Sequence, residues 1–597
     1  MSGYIVLAWR EDAAASAAAL KARLDEDASL KLAVDRRAMA VFLDRERPLR
    51  CVQLPGQTGV VIGSVFDKAE ALAGRGRIAD LTQAHAADPT AICRGLVDQT
   101  WGAYVAVLPD DDGAPNVFRD PLGGLECLTW NRDGVFVAAS RLDPRAPHAP
   151  RAAAVDWAGI GALMRQKNLS SVTVPLTGVR GVDPGVLLLA GGDQRRLWRP
   201  ADFAATKGTR RDVHPRELAA VVDGCVAAWS AGRSGVLCEV SGGLDSAIVL
   251  AALSKARAPI VGAINHYWPE PESDERLFAR AAAERASVVL TEEAHGLLAL
   301  DADKLAKVAC AARPSFSAAD PDYDADMARR LEETGADGLF SGQGGDAVFY
   351  QMAPTALAGD LLRGTPCGRP PLEALALLAH RTRRTVWSLV SEALKTWWAP
   401  VAPHPSVSFL TDAYAALSPS DRHPWLQDLV DVSPAKQAQI QALTNNQSMF
   451  GDSLRARSGR LIQPLMSQPV VELCLSTPAP ILAIGEVDRP FARAAYADRL
   501  PTIVLGRRWK GDLSVFFAQS MAQNLPFLRS FLLEGRLAAH GLIDPARLEP
   551  ILYRDELIWF DHAGELTIAF VLEAWARWWQ ASLAAGSVTA ARPVVTA

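Results

Sequence analysis

The sequence predicts an α/β protein of at least two domains, and three observations support this. Its 597 residues exceed the roughly 100–200 residues that one domain usually holds. The first part is rich in short apolar runs separated by turns, which favours layered sheets. The second part contains a strand, glycine turn, helix and strand in succession, which predicts a doubly wound parallel sheet. We therefore expect domains at residues 1–205 and 206–597.

The strands of the first domain are predicted from runs bounded by Gly, Pro or Asp. These runs are YIVLAW from Tyr4, AVFLD from Ala40, VVIGSVF from Val60, AYVAVLP from Ala103 and GVFVAAS from Gly134. The pattern becomes helical from Arg151 and returns to strands at VTVPL and GVLLLAG.

The domain boundary is placed in the polar stretch from Asp202 to Arg211, before a helix that begins near His214. Beyond it, GVLCEV is a short strand, DSAIVLAALSKA has helical periodicity and PIVGAINHY is another strand. Helical additions follow: an amphipathic stretch from Leu372 to Trp398 with several arginines is interpreted as helix packing with a solvated basic face. A docking surface for an anionic partner is the alternative. Residues 586–597 are expected to form a frayed tail.

Composition excludes several classes of function. The net charge is −5 and the pI about 6.1, so we expect no nucleic acid partner. No apolar stretch approaches the roughly 20 residues that span a bilayer, and the N-terminus lacks the basic region of a signal peptide. We expect a cytoplasmic protein with no membrane contact.

The clearest chemical motif is Ser241-Gly242-Gly243-Leu244-Asp245-Ser246, between a predicted strand and a helix. Its glycines allow close approach of a ligand, its hydroxyls can donate to phosphate oxygens, and the helix N-terminus favours an anion. The pattern is neither a Walker A loop nor a dinucleotide fingerprint. It predicts a phosphate cradle.

This motif resembles the pyrophosphate loop of the N-type ATP pyrophosphatases, and residues 340–346, FSGQGGD, resemble the second glycine loop of the asparagine synthetase family. The resemblance implies ATP and Mg²⁺, with Asp245 and Asp346 as catalytic metal ligands. It also implies a set of ATP- and pyrophosphate-binding residues: Ser241, Gly242, Gly243, Asp245, Ser246, Ile264, Ser341, Gly342 and Lys510.

Three further segments extend the resemblance. The backbone near Ile264 would recognise adenine, and Asp274, in the helix start after it, is either a helix cap or a ligand. In Arg507-Arg508-Trp509-Lys510, the lysine would stabilise charge on the acyl-adenylate. The segment from Leu454 to Leu465 departs from the family pattern by an insertion at residues 458–460.

The first domain resembles class II glutamine amidotransferases, which implies an Ntn-hydrolase-like αββα fold. The resemblance lies in GAYV from Gly102, RDPLG from Arg119 and AAS from Ala138. A working glutaminase of this class carries cysteine after the initiator methionine, whereas this sequence has Ser2. We therefore expect a degenerate, structural domain and an amine that arrives on another substrate.

Relatives with that loss include β-lactam synthetases and lasso-peptide cyclases. The former have tyrosine where this chain has Gln343, and the enlarged helical region favours a lasso-peptide cyclase. Such an enzyme would adenylate an Asp or Glu side chain of a precursor peptide in antibiotic biosynthesis. Its partners would be a leader-peptide-binding protein and a leader protease. An ammonia-dependent asparagine synthetase, a β-lactam synthetase and a non-catalytic ATP-binding scaffold are the alternatives.

Overall fold

The computed structural model describes most of the chain. The described residues are 3–82, 88–110, 112–205, 210, 212–268, 274–351, 353–398, 406–416, 421–508, 511 and 514–590.

Twelve strands of the first part form two antiparallel sheets of six strands each. Their orders are β10-β8-β9-β1-β3-β2 and β12-β11-β7-β6-β5-β4. The strands are β1 (Tyr4–Ala8), β2 (Leu30–Arg36), β3 (Met39–Asp44), β4 (Cys51–Gln53), β5 (Val60–Asp67), β6 (Thr100–Pro109), β7 (Pro115–Arg119), β8 (Leu128–Arg132), β9 (Val135–Ala139), β10 (Arg180–Gly181), β11 (Val186–Leu188) and β12 (Gln194–Arg196). The helices of this part are α1 (Ala14–Asp25), α2 (Lys68–Leu72), α3 (Pro89–Gln99), α4 (Trp157–Arg165) and α5 (Pro200–Ala204).

Alternation of side chains along the strands builds the layers. In β1, Tyr4 and Val6 face the second sheet, while Ile5 and Leu7 face helix α1. On the outer face of the second sheet, α3 packs its Leu96 among the side chains of β5 and β6. The result is the predicted αββα arrangement.

One predicted strand of this part is wrong. VTVPL forms no strand, and only Leu176 makes an isolated bridge, to Val155. A β-branched run forms a strand only where a neighbouring strand pairs with its backbone, and here one residue alone is paired.

Five parallel strands form the sheet of the second part, in the order β15-β14-β13-β16-β17. They are β13 (Val236–Glu239), β14 (Ile260–Tyr267), β15 (Leu290–Ala294), β16 (Gly338–Phe340) and β17 (Arg460–Ile462). The order reverses at β13, because β14 lies on one side of it and β16 on the other. This arrangement opens a crevice at the carboxyl ends of β13 and β16, where doubly wound sheets bind ligands.

Helices account for most of the remaining second part. They are α6 (Pro215–Ser230), α7 (Leu244–Lys255), α8 (Arg276–Ala286), α9 (Ala302–Val308), α10 (Pro321–Thr334), α11 (Gly345–Val348), α12 (Pro354–Leu362), α13 (Pro371–Thr382), α14 (Val386–Trp398), α15 (Asp412–Ala415), α16 (Pro434–Gln447), α17 (Leu454–Ser458), α18 (Gln468–Ser476), α19 (Ala479–Ala483), α20 (Pro490–Ala495), α21 (Thr502–Leu505), α22 (Ser514–Gln523), α23 (Leu525–Leu533), α24 (Arg536–Ala539), α25 (Pro545–Leu548), α26 (Arg554–Trp559) and α27 (Ala563–Ala590). Within the described ranges, none of these helices combines the length and hydropathy needed to cross a bilayer.

The predicted boundaries differ from these elements in two places. The stretch from Leu372 to Trp398 is two helices, because Arg383 adopts a left-handed conformation with φ 53° and ends α13. Helix α27 continues to Ala590, so the predicted tail begins too early. The division at residues 205 and 206 adjoins residues 206–209, which lie outside the described residues, and it stays a prediction.

A buried histidine joins the helical additions to the first part. His423 is 1% exposed, its Nδ1 accepts from Trp425 N–H at 3.1 Å, and its Nε2 lies 3.1 Å from Ser171 Oγ. Burial lowers the pKa of His423 to about 3. The ring is therefore neutral in the folded protein near neutral pH.

Acid is expected to destabilise the protein through this residue. The unfolded chain takes up the proton near pH 6.5, whereas the folded chain does so only near pH 3. Between these values the unfolded state binds more protons, so stability falls as pH falls, by roughly 2–3 kcal/mol at pH 4.5. The loss of stability is measured by urea unfolding of the wild type and the His423→Asn variant at pH values between 7 and 4.5. Asparagine keeps a cap acceptor, so the variant should lose less stability on acidification, and parallel losses would contradict the assignment.

Candidate active site

The predicted phosphate cradle lies between β13 and α7. Gly242 has φ 88°, and a Cβ there would lie 2.5 Å from the carbonyl oxygen of Glu275, so only glycine fits. The hydroxyl oxygens of Ser241 and Ser246 are 3.1 Å apart, and Gly243 N–H donates to Ser241 Oγ at 3.3 Å. The structure thus brings both serines and both glycines of the motif into one turn at the N-terminus of α7.

The second glycine loop packs directly against the first. A Cβ on Gly342 would lie 2.4 Å from the backbone nitrogen of Ser246, and one on Gly345 would lie 2.3 Å from Asp245 Cγ. Ser341 stands at the carboxyl end of β16 and lines the same cavity as Ser241. The glycines are therefore required for the approach of one loop to the other.

This approach brings Asp245 and Asp346 together on one cationic side chain. Nη1 of Arg489 lies 2.6 Å from Asp245 Oδ2 and 2.8 Å from Asp346 Oδ1. Two carboxylates that contact the same nitrogen atom can also share one cation. Oxygen ligands of this kind suit Mg²⁺, which proteins commonly hold through one or two carboxylates together with phosphates. The pair therefore fits the metal site that the sequence predicts.

Arg489 was missed by the sequence analysis. Its side chain is almost fully buried, and Asp488 accepts from its Nε at 2.8 Å. Burial by itself would lower the pKa of Arg489, but Asp245, Asp488 and Asp346 raise it above its usual value. The residue precedes Pro490 in a segment without periodicity or glycine pattern, so no sequence signal marks it.

A cavity of about 1070 Å³ surrounds these groups. Its volume slightly exceeds the roughly 300–1,000 Å³ typical of sites for one small ligand. Seven arginines and five acidic residues line it among the described residues. The arginines are Arg381, Arg383, Arg384, Arg489, Arg493, Arg507 and Arg508. This excess of positive charge suits a polyanion such as a triphosphate.

The cavity wall also contains Glu239, an acid whose pKa is raised. It ends β13, its carboxylate accepts from the hydroxyl of Tyr323, and burial raises its pKa. The positive charge of Arg455 lowers the pKa of Glu239, but burial raises it and has the larger effect.

Glu275 holds the segment that carries the predicted lysine. Its Oε1 accepts from Gly511 N–H at 2.6 Å and from the guanidinium of Arg507. Lys510 itself lies outside the described residues, so its role stays a prediction. The neighbouring Asp274, which the sequence offered as a ligand or a cap, accepts from Arg276 and is not among the residues lining the cavity.

The structure does not bring Ile264 to the cavity. Its side chain packs in a small core with Leu237 and Met327, and its carbonyl oxygen accepts from Val240 N–H at 2.8 Å. Ile264 lies within β14, and its carbonyl oxygen is already hydrogen-bonded to the backbone N–H of Val240. The predicted adenine contact therefore gains no support from its position.

The stretch from Leu372 to Trp398 is more than the solvated basic face that the sequence predicts. Arg383 is exposed, but Arg381 donates to the carbonyl oxygens of Ala483 and Val487, and burial lowers its pKa. The corner between α13 and α14 lines the cavity instead of forming only a solvated face.

The comparisons with known proteins address family and fold. The profile of the family described as asparagine synthase matches residues 217–577. No curated protein matches the chain.

Twenty-two solved chains match. One is titled "Structure of the allosteric regulatory enzyme of purine biosynthesis"; it is 11% identical and covers 49% of this chain and 80% of its own, with a TM-score of 0.19. A superposition of that quality is too poor to compare the two folds.

The family match spans more than half of the chain and contains both glycine loops, the two aspartates and Arg489. The chain therefore belongs to the asparagine synthase family, and it is an ATP-dependent ligase that forms amide bonds.

Proposed function

We propose that the chain is a lasso-peptide macrolactam synthetase. A side-chain carboxylate of Asp or Glu in a precursor peptide attacks the α-phosphorus of ATP, and pyrophosphate leaves. The N-terminal amine of the peptide then attacks the acyl carbon, AMP leaves, and the amine loses a proton. The product is an isopeptide bond that closes a ring.

The observation that carries the adenylation step is the convergence of Asp245 and Asp346 on one nitrogen of Arg489. Mg²⁺, when bound to this pair, would offset charge on the phosphates. The hydroxyl of Ser241 and the N-terminus of α7 lie together in one turn and would bind the leaving pyrophosphate. Arg507 and Arg508 line the cavity beside the phosphate cradle and can bind anionic groups there.

Three observations favour a peptide over ammonia as the amine source. The cavity volume slightly exceeds the usual range for one small ligand, so a nucleotide and part of a second substrate can share it. The corner of α13 and α14 contributes His380 and Arg384 to its wall and can shield the adenylate from water. Ser2, in place of a glutaminase cysteine, agrees with an amine supplied by the peptide. A leader-peptide-binding protein and a leader protease would prepare that substrate.

Incubation with MgATP and a leader-free precursor peptide tests the proposal. We expect AMP and pyrophosphate in equal amounts and a peptide lighter by one water. The matched control is the same peptide with the Asp or Glu that is to be adenylated changed to Asn or Gln. This peptide should give no cyclic product. Production of ADP and orthophosphate would contradict the proposal.

The same assay separates the alternatives. Asparagine formation from aspartate and ammonium would identify an ammonia-dependent synthetase, and a small β-amino acid that cyclises would identify a β-lactam synthetase. A scaffold protein would bind ATP without releasing pyrophosphate, and Asp245→Ala would then leave product formation in cells unchanged.

A further inference from the structure

Arg489 uses a single nitrogen atom for three carboxylate oxygens. Its Nη1 lies 2.8 Å from Asp245 Oδ1, 2.6 Å from Asp245 Oδ2 and 2.8 Å from Asp346 Oδ1. One NH₂ group of a guanidinium carries only two hydrogens, and arginine usually meets a carboxylate with two nitrogens in parallel. A spherical cation can take all three oxygens as ligands. Nη1 therefore lies at a point that suits a metal ion better than it suits an N–H donor.

The same oxygen atoms are the ones that a metal ion needs. Asp245, Asp346 and Arg489 all line the nucleotide cavity. A divalent ion on the two aspartates and Nη1 would each lie within about 3 Å of these oxygens. Two positive charges so close together repel each other, and water screens them poorly because the side chain of Arg489 is only 4% exposed. Binding of one cation therefore weakens binding of the other.

The backbone at Arg489 is fixed, so release of the aspartates has to come from its side chain. Arg489 has φ 49° and ψ 49°, a left-handed conformation that costs free energy in a residue other than glycine. Arg493 holds this turn, because its Nε donates to the carbonyl oxygen of Asp488 at 2.7 Å and its Nη1 to that of Val504 at 2.8 Å. The turn sets the point from which the guanidinium reaches the two aspartates.

Asp488 gives the guanidinium a partner outside the pair of aspartates. Its Oδ2 accepts from Arg489 Nε at 2.8 Å, and its Oδ1 accepts from Arg493 Nη2 at 2.5 Å. Asp488 also lines the nucleotide cavity. A change of rotamer can therefore move Nη1 away from the pair while the positive charge stays beside Asp488.

We propose that Arg489 and a divalent cation compete for Asp245 and Asp346. Arg489 is a positioning residue: it holds the two carboxylates side by side, and it releases them when the cation binds. This inference rests on the metal-dependent adenylation step of the proposed function, but not on the identity of the peptide.

Binding of Mn²⁺, which prefers the same oxygen ligands as Mg²⁺, tests the competition in the full chain without nucleotide or peptide. Electron paramagnetic resonance of free Mn²⁺ gives the dissociation constant, and the melting temperature is a second readout. We expect Arg489→Met to bind Mn²⁺ at least about tenfold more tightly than the wild type, because no cation has to leave the pair. Mn²⁺ should also raise the melting temperature of this variant more than that of the wild type. A role confined to supporting the fold would not increase metal affinity.

Arg383→Met is the matched control for the loss of one positive charge. Arg383 is exposed and lines the same cavity, whereas the ion pairs of Asp245 and Asp346 found among the described residues are with Arg489. The control should change Mn²⁺ affinity less than about threefold, because water screens an exposed charge.

Three further variants locate the effect. Arg489→Lys keeps a cation for the pair and should bind Mn²⁺ like the wild type. Arg489→Gln should gain affinity as the methionine variant does, which covers the case that the latter fails to fold. Asp245→Asn, added to Arg489→Met, should abolish the gain because it removes one of the two carboxylates.

The proposal is overturned if Arg489→Met and Arg489→Gln bind Mn²⁺ no more tightly than the wild type. Such a result would mean that Arg489 stays on the carboxylates when the metal binds. An equal gain in Arg383→Met, or a gain that survives Asp245→Asn, would overturn it as well. Failure of the chain to cyclise any peptide would leave these measurements unaffected, so this proposal and the proposed function can fail independently.

Discussion

Asp245→Asn and Asp346→Asn are each expected to slow AMP formation by about 10³-fold, the size of effect seen when a positioned electrostatic group is removed. Each carboxylate lies within hydrogen-bond distance of Arg489 Nη1, so the two act on the same charge centre. An amide keeps the shape of the side chain but removes the negative charge that a cation requires. Pyrophosphate release in the presence of MgATP and peptide measures the effect.

The double variant should be little slower than either single one, because the two carboxylates act as a unit. The fold should survive, since Asp488 still accepts from Arg489 Nε, and the melting temperature should fall only slightly. Asp274→Asn is the control: its carboxylate pairs with Arg276 outside the cavity and should change the rate less than about twofold. A single variant with a near-normal rate would refute the shared cation site.

Gly345→Ala is expected to reduce AMP formation by about 10²-fold or more without removing a functional group. The added Cβ would lie 2.3 Å from Asp245 Cγ and 2.6 Å from Asp245 Oδ1. The carboxylate must therefore move, and a displacement of about 1 Å at a reacting centre can have this effect. We also expect a loss of about 1–3 kcal/mol in the free energy of unfolding, because the contact overpacks the site.

Steady-state rates and urea unfolding of Gly345→Ala and Gly296→Ala provide the comparison. Gly296 has no heavy atom within 4 Å of its would-be Cβ and no positive φ, so alanine should be tolerated there. If both variants retain the wild-type rate, the packing of the second glycine loop on Asp245 is not needed for catalysis.

Most predictions that rest on local sequence patterns agree with the structure. The first glycine loop, β13, α7 and β14 were predicted because turns, alternation and helical periodicity are determined by neighbouring residues. The second glycine loop was predicted from its resemblance to a family motif. The layers of the first part followed for the same reason. VTVPL failed as a strand because its composition could not show that a partner strand was missing there.

Long-range contacts were not predictable in this way. The strand β17 begins at Arg460, the last residue of the segment that was taken for an insertion, and its pairing with β16 makes it a strand. Arg489 is 244 residues from Asp245 and 143 from Asp346. Of the two adjacent acids at the start of α8, Glu275 contacts the lysine segment, although Asp274 was singled out. One charged residue in a helix or loop gives no periodic signal.

By itself the sequence determined the α/β class and the first glycine loop, because each depends on residues close together in the chain. The second loop and the metal-binding role of the two aspartates were predicted from a family resemblance. Only the tertiary structure decided that the two loops pack against each other and that Arg489 contacts both carboxylates. It also decided that the side chain of Ile264 packs in a core. These features depend on how distant elements pack, and packing is set by the shapes and charges of surfaces that meet only after the chain has folded.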